Sequence, residues 1–194
     1  MNYKEWCIEQ HKNTNHMYSE YLPYEFHLRM VAQVGEDFKH LLDDTKDYLT
    51  GEDYRGPQQG QMTLRNACLI SLYAHDVLED CRISYSDLKN QLGEEVAEIV
   101  YAVTNDKGKN RKERAGEKYY KGIRETPGAV FVKLCDRIAN VQYGKMTKSR
   151  MFEMYRKEND EFIRQLGYDV NDMVCINLHP YTEMFRYLNN LFND

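Results

Sequence analysis

Residues 71–80, SLYAHDVLED, constrain this chain more than any other stretch. They lie in an apolar run (Leu69, Ile70, Leu72, Tyr73, Ala74, Val77, Leu78) that predicts a buried helix. Within it stand one imidazole and three carboxylates: His75, Asp76, Glu79 and Asp80. Burying one unpaired carboxylate costs several kcal/mol, a large part of a domain's net stability. On a continuous helix His75 and Glu79 are one turn apart, as are Asp76 and Asp80, so the four share a face. A core face that negative calls for a cation, and His with Asp are ligands for a divalent metal. The alternative is a helix that ends near Asp80 with its acids in water.

The rest of the composition narrows the setting. The 194 residues suffice for one domain with a sizeable core, and 42% hydrophobic with 29% charged residues is an ordinary soluble balance. A net charge of -5 argues against a nucleic-acid partner. No apolar run approaches the roughly 18 residues of a membrane span. No signal-peptide pattern follows the polar residues 1–6. Cys7, Cys68, Cys81, Cys135 and Cys175 are scattered and form no CxxC pair, which suits reduced thiols in a cytoplasmic protein.

Helical periodicity recurs along the chain. Helices are expected over residues 2–13, 24–42, 63–80, 88–92, 96–104, 113–124, 129–141, 147–166 and 181–192. Phe26, Met30, Val31, Val34, Phe38 and Leu41 form the stripe of the second, with His27 beside it. Pro23 marks that helix's start, and Ser84 or Ser86 caps a later one. Residues 43–60, with Gly51, Gly56-Pro57 and Gly60, form a connection long enough to cover a site. Nothing reads as strand, repeat or domain boundary. The expected fold is a single all-α domain over residues 1–194, a bundle of roughly eight helices.

Asp136 places another carboxylate on an apolar helix, with Lys133 three residues before it and Asn140 one turn after. Three separate apolar helices thus carry metal-competent residues: His27, then His75 and Asp76, then Asp136. Two imidazoles and two carboxylates suit Mn, Fe, Co or Zn, with water completing the shell. Taken singly, His27 also reads as a packed histidine and Asp136 as half of a salt bridge; the joint pattern points to metal. One strongly basic segment, Lys107, Lys109, Arg111, Lys112 and Arg114, reads either as a solvated loop or as cations for a polyanionic ligand.

The order His27, His75-Asp76, Asp136 matches the H…HD…D signature of the HD phosphohydrolase superfamily. Residues 75–80, HDVLED, resemble the HDxxED box of its RelA/SpoT hydrolase branch. Pro23-Tyr24-x-x-His27 with Val31-Ala32 is similar to that branch's PYxxH…VA opening. Residues 132–140, VKLCDRIAN, resemble its KLADRxxN box, and Val103-Thr104, Lys107 and Glu113-Arg114 its VT…K…ER segment. The resemblance spans residues 16–166, with C-terminal helices over 147–192, and the compact length looks like the small alarmone hydrolases. It implies an HD-domain fold and a Mn-dependent enzyme that removes the 3′-pyrophosphate from (p)ppGpp, a small nucleotide substrate. It implies that His27, His75, Asp76 and Asp136 hold the metal, and that Glu79 and Asp80 position or deprotonate the attacking water. Asn140 would contact ribose or phosphate, and Lys107 and Arg114 the pyrophosphate. Arg137 and Asn105 read as structural.

The chain departs from the branch at its opening. The usual Arg-Lys pair is missing from residues 17–22, Leu28 stands where Pro is common, and Tyr143 where Thr is usual. These positions bear on base and ribose recognition, not on the metal. Tyr18, Tyr21 or Tyr24 is the candidate to stack on a base instead. Two rival functions follow: an HD-type nucleotidase or phosphodiesterase acting on (p)ppApp, NADPH, dNMPs or cyclic nucleotides, and a degenerate HD module that only binds nucleotide. Intact Glu79 and Asp80 argue against the second. Oligomeric state is left open by the sequence.

Overall fold

The structure is a computed structural model and describes residues 2–42, 62–105, 116–169, 171–172 and 179–193. Among these the regular elements are all helices, with no strand beyond an isolated bridge between Met17 and Pro23. The long helix Ala129–Met146 is the axle. Helices Tyr24–Phe38, Leu64–Ala74, Glu94–Val103, Glu117–Glu125, Arg150–Gln165 and Thr182–Asn190 all pack against it. Its inner face carries Phe131, Leu134 and Ile138, each fully buried, each worth roughly 2–3 kcal/mol of burial. Leu28, Leu72, Ile123 and Phe185 meet them from the surrounding helices. No helix among the described residues is long and apolar enough to cross a membrane.

Local sequence explains several helix ends. Asn2 and Glu5 make a capping box on helix Tyr3–Asn13, and Ser84 with Asp87 another on Tyr85–Leu92. Of the two serines proposed as caps, Ser84 is the one used. That helix starts three residues before the expected 88, because the cap lies upstream of its first buried apolar residue, Leu88. The axle runs five residues past the expected 141, to Met146. The second helix ends at Phe38 and tightens into a 3-10 turn, Lys39–Leu41. The expected loop 43–60, and the basic segment from Lys107 to Arg114, lie outside the described residues.

One expectation is corrected. Residues 63–80 are not a continuous helix: Leu64–Ala74 stops, and a one-turn helix Val77–Asp80 begins after Asp76, whose φ is -107° and ψ 1°. The reason lies in the imidazole. His75 Nδ1 is 3.0 Å from the carbonyl of Leu72, the group that would accept from the Asp76 N–H in an unbroken helix. The side chain takes the backbone's acceptor and the ladder breaks there.

Two glycines set how closely the helices approach. A Cβ on Gly35 would lie 2.1 Å from Leu72 Cδ1, so the Tyr24–Phe38 helix nestles against Leu64–Ala74 only because that carbon is missing. Gly128, at φ +81°, leads into the axle against Cys68.

His179 gives the fold an acid-sensitive point. Burial holds its pKa down at about 4, and its Nδ1 accepts from the Tyr181 N–H at 3.2 Å. The folded state therefore binds fewer protons there than the unfolded chain, whose histidine titrates near 6.5. Stability from this group is complete above pH 6.5 and is lost as pH falls toward 4, by up to about 3 kcal/mol. Urea midpoints at pH 7 and pH 4.5 are expected to converge in His179→Phe; an undiminished gap between them would refute this account.

Candidate metal centre

The close packing of helices Tyr24–Phe38, Leu64–Ala74 and Ala129–Met146 brings residues far apart in the chain to one point. His27 Nε2 and His75 Nε2, 48 positions apart, face each other at 3.3 Å. Asp136 Oδ1 lies 3.4 Å from His27 Nε2 and 3.9 Å from His75 Nε2. Asp76 Oδ2 lies 2.9 Å from His75 Nε2 and 3.9 Å from His27 Nε2. His27, His75 and Asp136 each offer one atom to a common centre. The contact of His75 Nδ1 with the Leu72 carbonyl selects the tautomer with its proton on Nδ1, which leaves the Nε2 lone pair pointing inward. Two inward imidazole nitrogens with two carboxylates are a donor set for a divalent transition metal, and the residues fit such an ion.

The charges behave accordingly. Burial alone would lower His75, but Asp76 and then Asp136 outweigh it and carry its pKa up to about 9. Burial would raise both aspartates, yet His75 holds Asp76, and Lys133 holds Asp136, well below the usual carboxylate range. A cation is thus favoured at this point whether it is a proton or a metal ion.

A surrounding layer fixes the donors. Asn140 Nδ2 donates to Asp136 Oδ1 at 2.6 Å, and Lys133 Nζ lies 3.4 Å from Asp136 Oδ2. Tyr18 donates to Asn140 Oδ1 at 2.9 Å and stacks on His27, ring centroids 4.8 Å apart. Tyr24 donates its hydroxyl to Asp76 Oδ2. The geometry gives Tyr24 this hydrogen-bonding role, apart from the base-stacking one expected of it. Tyr24 is 8% exposed, and its ring stacks on His11 and His16 with centroids 4.4 and 3.9 Å away. Tyr24→Phe is expected to lower metal affinity about 10- to 100-fold with little change in melting temperature. Equal metal titration curves for variant and wild type would remove this role.

The centre opens into a cavity of about 1010 Å³ lined by His27, Asp76 and Asp136 and by the acids Glu79 and Asp80. Glu79 Oε2 accepts from Asn105 Nδ2 at 2.9 Å. Asn105, read as structural, is thus what anchors this acid. The Asp80 side chain is 31% exposed; desolvation, then Asp76 and Glu79, push its pKa up to about 7. His16 Nδ1 lies 3.7 Å from Asp80 Oδ2. The structure brings together His27, His75, Asp76, Asp136, Asn140, Tyr24, Glu79 and Asp80, all lining one cavity or meeting at its floor. Lys107 and Arg114 lie outside the described residues. Sequence reasoning missed Tyr18 as a support for His27 and Asn140. No local signal carries it, since the Tyr18–Asn140 bond spans 122 positions.

Comparison with known proteins agrees with this geometry. A segment of 111 residues, 56% of this chain, is 29% identical to a guanosine-3′,5′-bis(diphosphate) 3′-pyrophosphohydrolase of Aquifex aeolicus. A 74-residue segment is 30% identical to the enzyme of that name, MESH1, of Drosophila melanogaster. Over these segments the chain is similar to two ppGpp 3′-pyrophosphohydrolases. The matches span 16% of the Aquifex protein and 41% of the Drosophila one, well under two thirds of either relative. The solved structure of a metazoan SpoT ortholog, described as hydrolysing ppGpp, superposes with a TM-score of 0.56 at 17% identity, covering 96% of both chains. It shares the all-α fold of this chain. No known family profile matches the sequence.

Proposed function

We propose that this chain, as one HD-type domain over residues 1–194, is a metal-dependent phosphohydrolase that removes the 3′-pyrophosphate of (p)ppGpp or a closely related purine alarmone. The observation that carries the reading is the convergence of His27, His75 and Asp136 donor atoms at the floor of a cavity that also holds Glu79 and Asp80. The names of the relatives support the substrate class. Manganese is the metal we infer, in keeping with mixed imidazole and carboxylate donors. Free thiols at Cys7, Cys68, Cys81 and Cys135 support a cytoplasmic setting.

His27, His75, Asp76 and Asp136 would hold the ion. When bound, it acidifies a water and offsets phosphoryl charge. Asp80, with its pKa near 7, takes the proton of the attacking water at neutral pH. Glu79, held by Asn105, orients that water from the adjacent position. The water oxygen bonds to the phosphorus carried on the 3′-oxygen, the bond from phosphorus to that oxygen breaks, and the 3′-oxygen leaves with a proton as hydroxyl. Pyrophosphate is the other product. Asn140 and Tyr18 keep Asp136 and His27 in place throughout.

The test is a substrate panel on metal-stripped protein with Mn restored: (p)ppGpp, (p)ppApp, NADPH, dNMPs and cyclic nucleotides. Pyrophosphate release from a 3′-pyrophosphorylated nucleotide is expected. Release of orthophosphate alone, from another nucleotide, would move the chain to the general nucleotidases. Asp80→Asn is expected to retain metal and lose on the order of 10²- to 10³-fold in turnover. Metal retained with no hydrolysis of any nucleotide by the wild type would leave a binding module.

A further inference from the structure

One proton in the reaction above has no owner. The 3′-oxygen departs as a hydroxyl, whereas Asp80 serves the attacking water. Attacking and leaving oxygens stand roughly in line across phosphorus, so a single carboxyl does not reach both. Several donors around the centre are already engaged. Tyr18 donates to Asn140, Tyr24 to Asp76 and Tyr119 to the Val103 carbonyl, and Lys133 is paired with Asp136. His16 is placed differently. It lines the cavity, its side chain is 28% exposed, and its Nδ1 lies 3.7 Å from Asp80 Oδ2.

The His16 ring is held from two sides. It stacks on Tyr24, ring centroids 3.9 Å apart, and its Nδ1 faces His11 Nδ1 at 3.1 Å. Burial lowers both imidazole pKa values, that of His11 to about 4, so both rings are neutral at pH 7. One of the two facing nitrogens then carries the hydrogen of their contact. His11 is 1% exposed, and its Nε2 has no hydrogen-bond partner among the described residues. A hydrogen on that Nε2 would be a buried donor with nothing to receive it. His11 therefore carries its hydrogen on Nδ1 and donates to His16. That leaves the hydrogen of His16 on Nε2, the ring nitrogen turned away from both His11 and Asp80.

We propose that His16 relays a proton from Asp80 to the leaving 3′-oxygen, and that His11 sets the tautomer the relay needs. The relay rests on the hydrolase reading above. Asp80 takes a proton from the water as the water oxygen bonds to phosphorus. That proton passes from Asp80 Oδ2 to His16 Nδ1. The Nε2 hydrogen of His16 passes to the 3′-oxygen as its bond to phosphorus breaks. The step needs no outside proton, and the ring never becomes an imidazolate. Exchange with water afterwards restores the Nε2–H form. The 3.7 Å separation closes when substrate is bound, since hydrogen bonds of catalytic groups are often long in the free enzyme. His16 is thus a catalytic residue and His11 a positioning one.

The test compares two substrates on the full chain with Mn: ppGpp, and its analogue with sulfur in place of the bridging 3′-oxygen. A thiolate leaves without needing a proton, so the analogue does not call on the relay. His16→Gln is expected to lose about 10²-fold in kcat on ppGpp but less than about threefold on the analogue, with metal content unchanged. His11→Phe is expected to show the same split at smaller size. His11→Asn, whose amide can donate from the place of Nδ1, is expected to recover most of the loss. Equal losses on the two substrates in His16→Gln, or no loss on ppGpp, would overturn the relay while leaving hydrolysis standing. Should His16→Gln fail to fold, the split in His11→Phe and its recovery in His11→Asn decide. A wild type that hydrolyses neither substrate would sink the hydrolase reading and the relay with it.

Discussion

Asp136→Asn is expected to strip the protein of divalent metal and to cut turnover on the order of 10³-fold, about 4 kcal/mol of barrier. The carboxylate joins several of the interactions in the centre. Its Oδ1 faces His27 and accepts from Asn140, and its Oδ2 meets Lys133. Asparagine keeps the shape but removes the charge that a cation needs there. It also leaves Lys133 buried without its carboxylate, which costs about 3 kcal/mol of stability. The variant should therefore melt lower even without metal, whereas Asn140→Ala should lose less metal affinity because the charge stays. Metal content by elemental analysis and turnover on the same sample settle the matter. A metal-loaded Asp136→Asn protein with wild-type turnover would end the case for this centre.

Gly128→Ala is expected to cost about 3–4 kcal/mol and to lower the melting temperature by roughly 10 °C. Two effects add. The backbone at φ +81° strains any residue with a Cβ, by about 1 kcal/mol. The new carbon would also lie 2.4 Å from Cys68 Sγ and 3.1 Å from Leu64 Cδ1, and Cys68 is fully buried with nowhere to go. Gly122→Ala is the control. It lies in helix Glu117–Glu125 with nothing within 4 Å of the added carbon, and alanine there should be neutral or stabilising by up to about 1 kcal/mol. Calorimetric melts of the two variants that coincide would refute the packing argument.

The buried centre was legible because it violates the core's own rules. The imidazoles and carboxylates in the apolar runs around His75 and Asp136, read jointly, pointed to a shared cation, and the helices that carry them do meet. The all-α fold followed from unbroken 3.6-residue periodicity and the absence of alternation. What could not be read were effects that local pattern does not encode. The break after Ala74 arises from a side chain competing for one carbonyl, in a stretch whose apolar spacing is continuous. Tyr24 is a second case, since aromatic rings near nucleotide sites also stack on bases. Its place between His11, His16 and Asp76 depends on the path of residues 14–23, which has no periodicity to follow. That Arg137 lines the cavity could not be read either, because one apolar helix gives no hint that a cavity lies on its far side.

The interruption between His75 and Val77 has a consequence for how such a protein can diversify. His75 is tethered within its own helix through Leu72, whereas Glu79 rides on a separate single turn and is tethered to Asn105, at the end of another helix. The ion's grip and the aim of the acids are thus adjusted by different neighbours. Substitutions around residue 105 can re-aim the attack on a new ester while the older imidazole scaffold goes on as before, so novelty at one module need not erode the other.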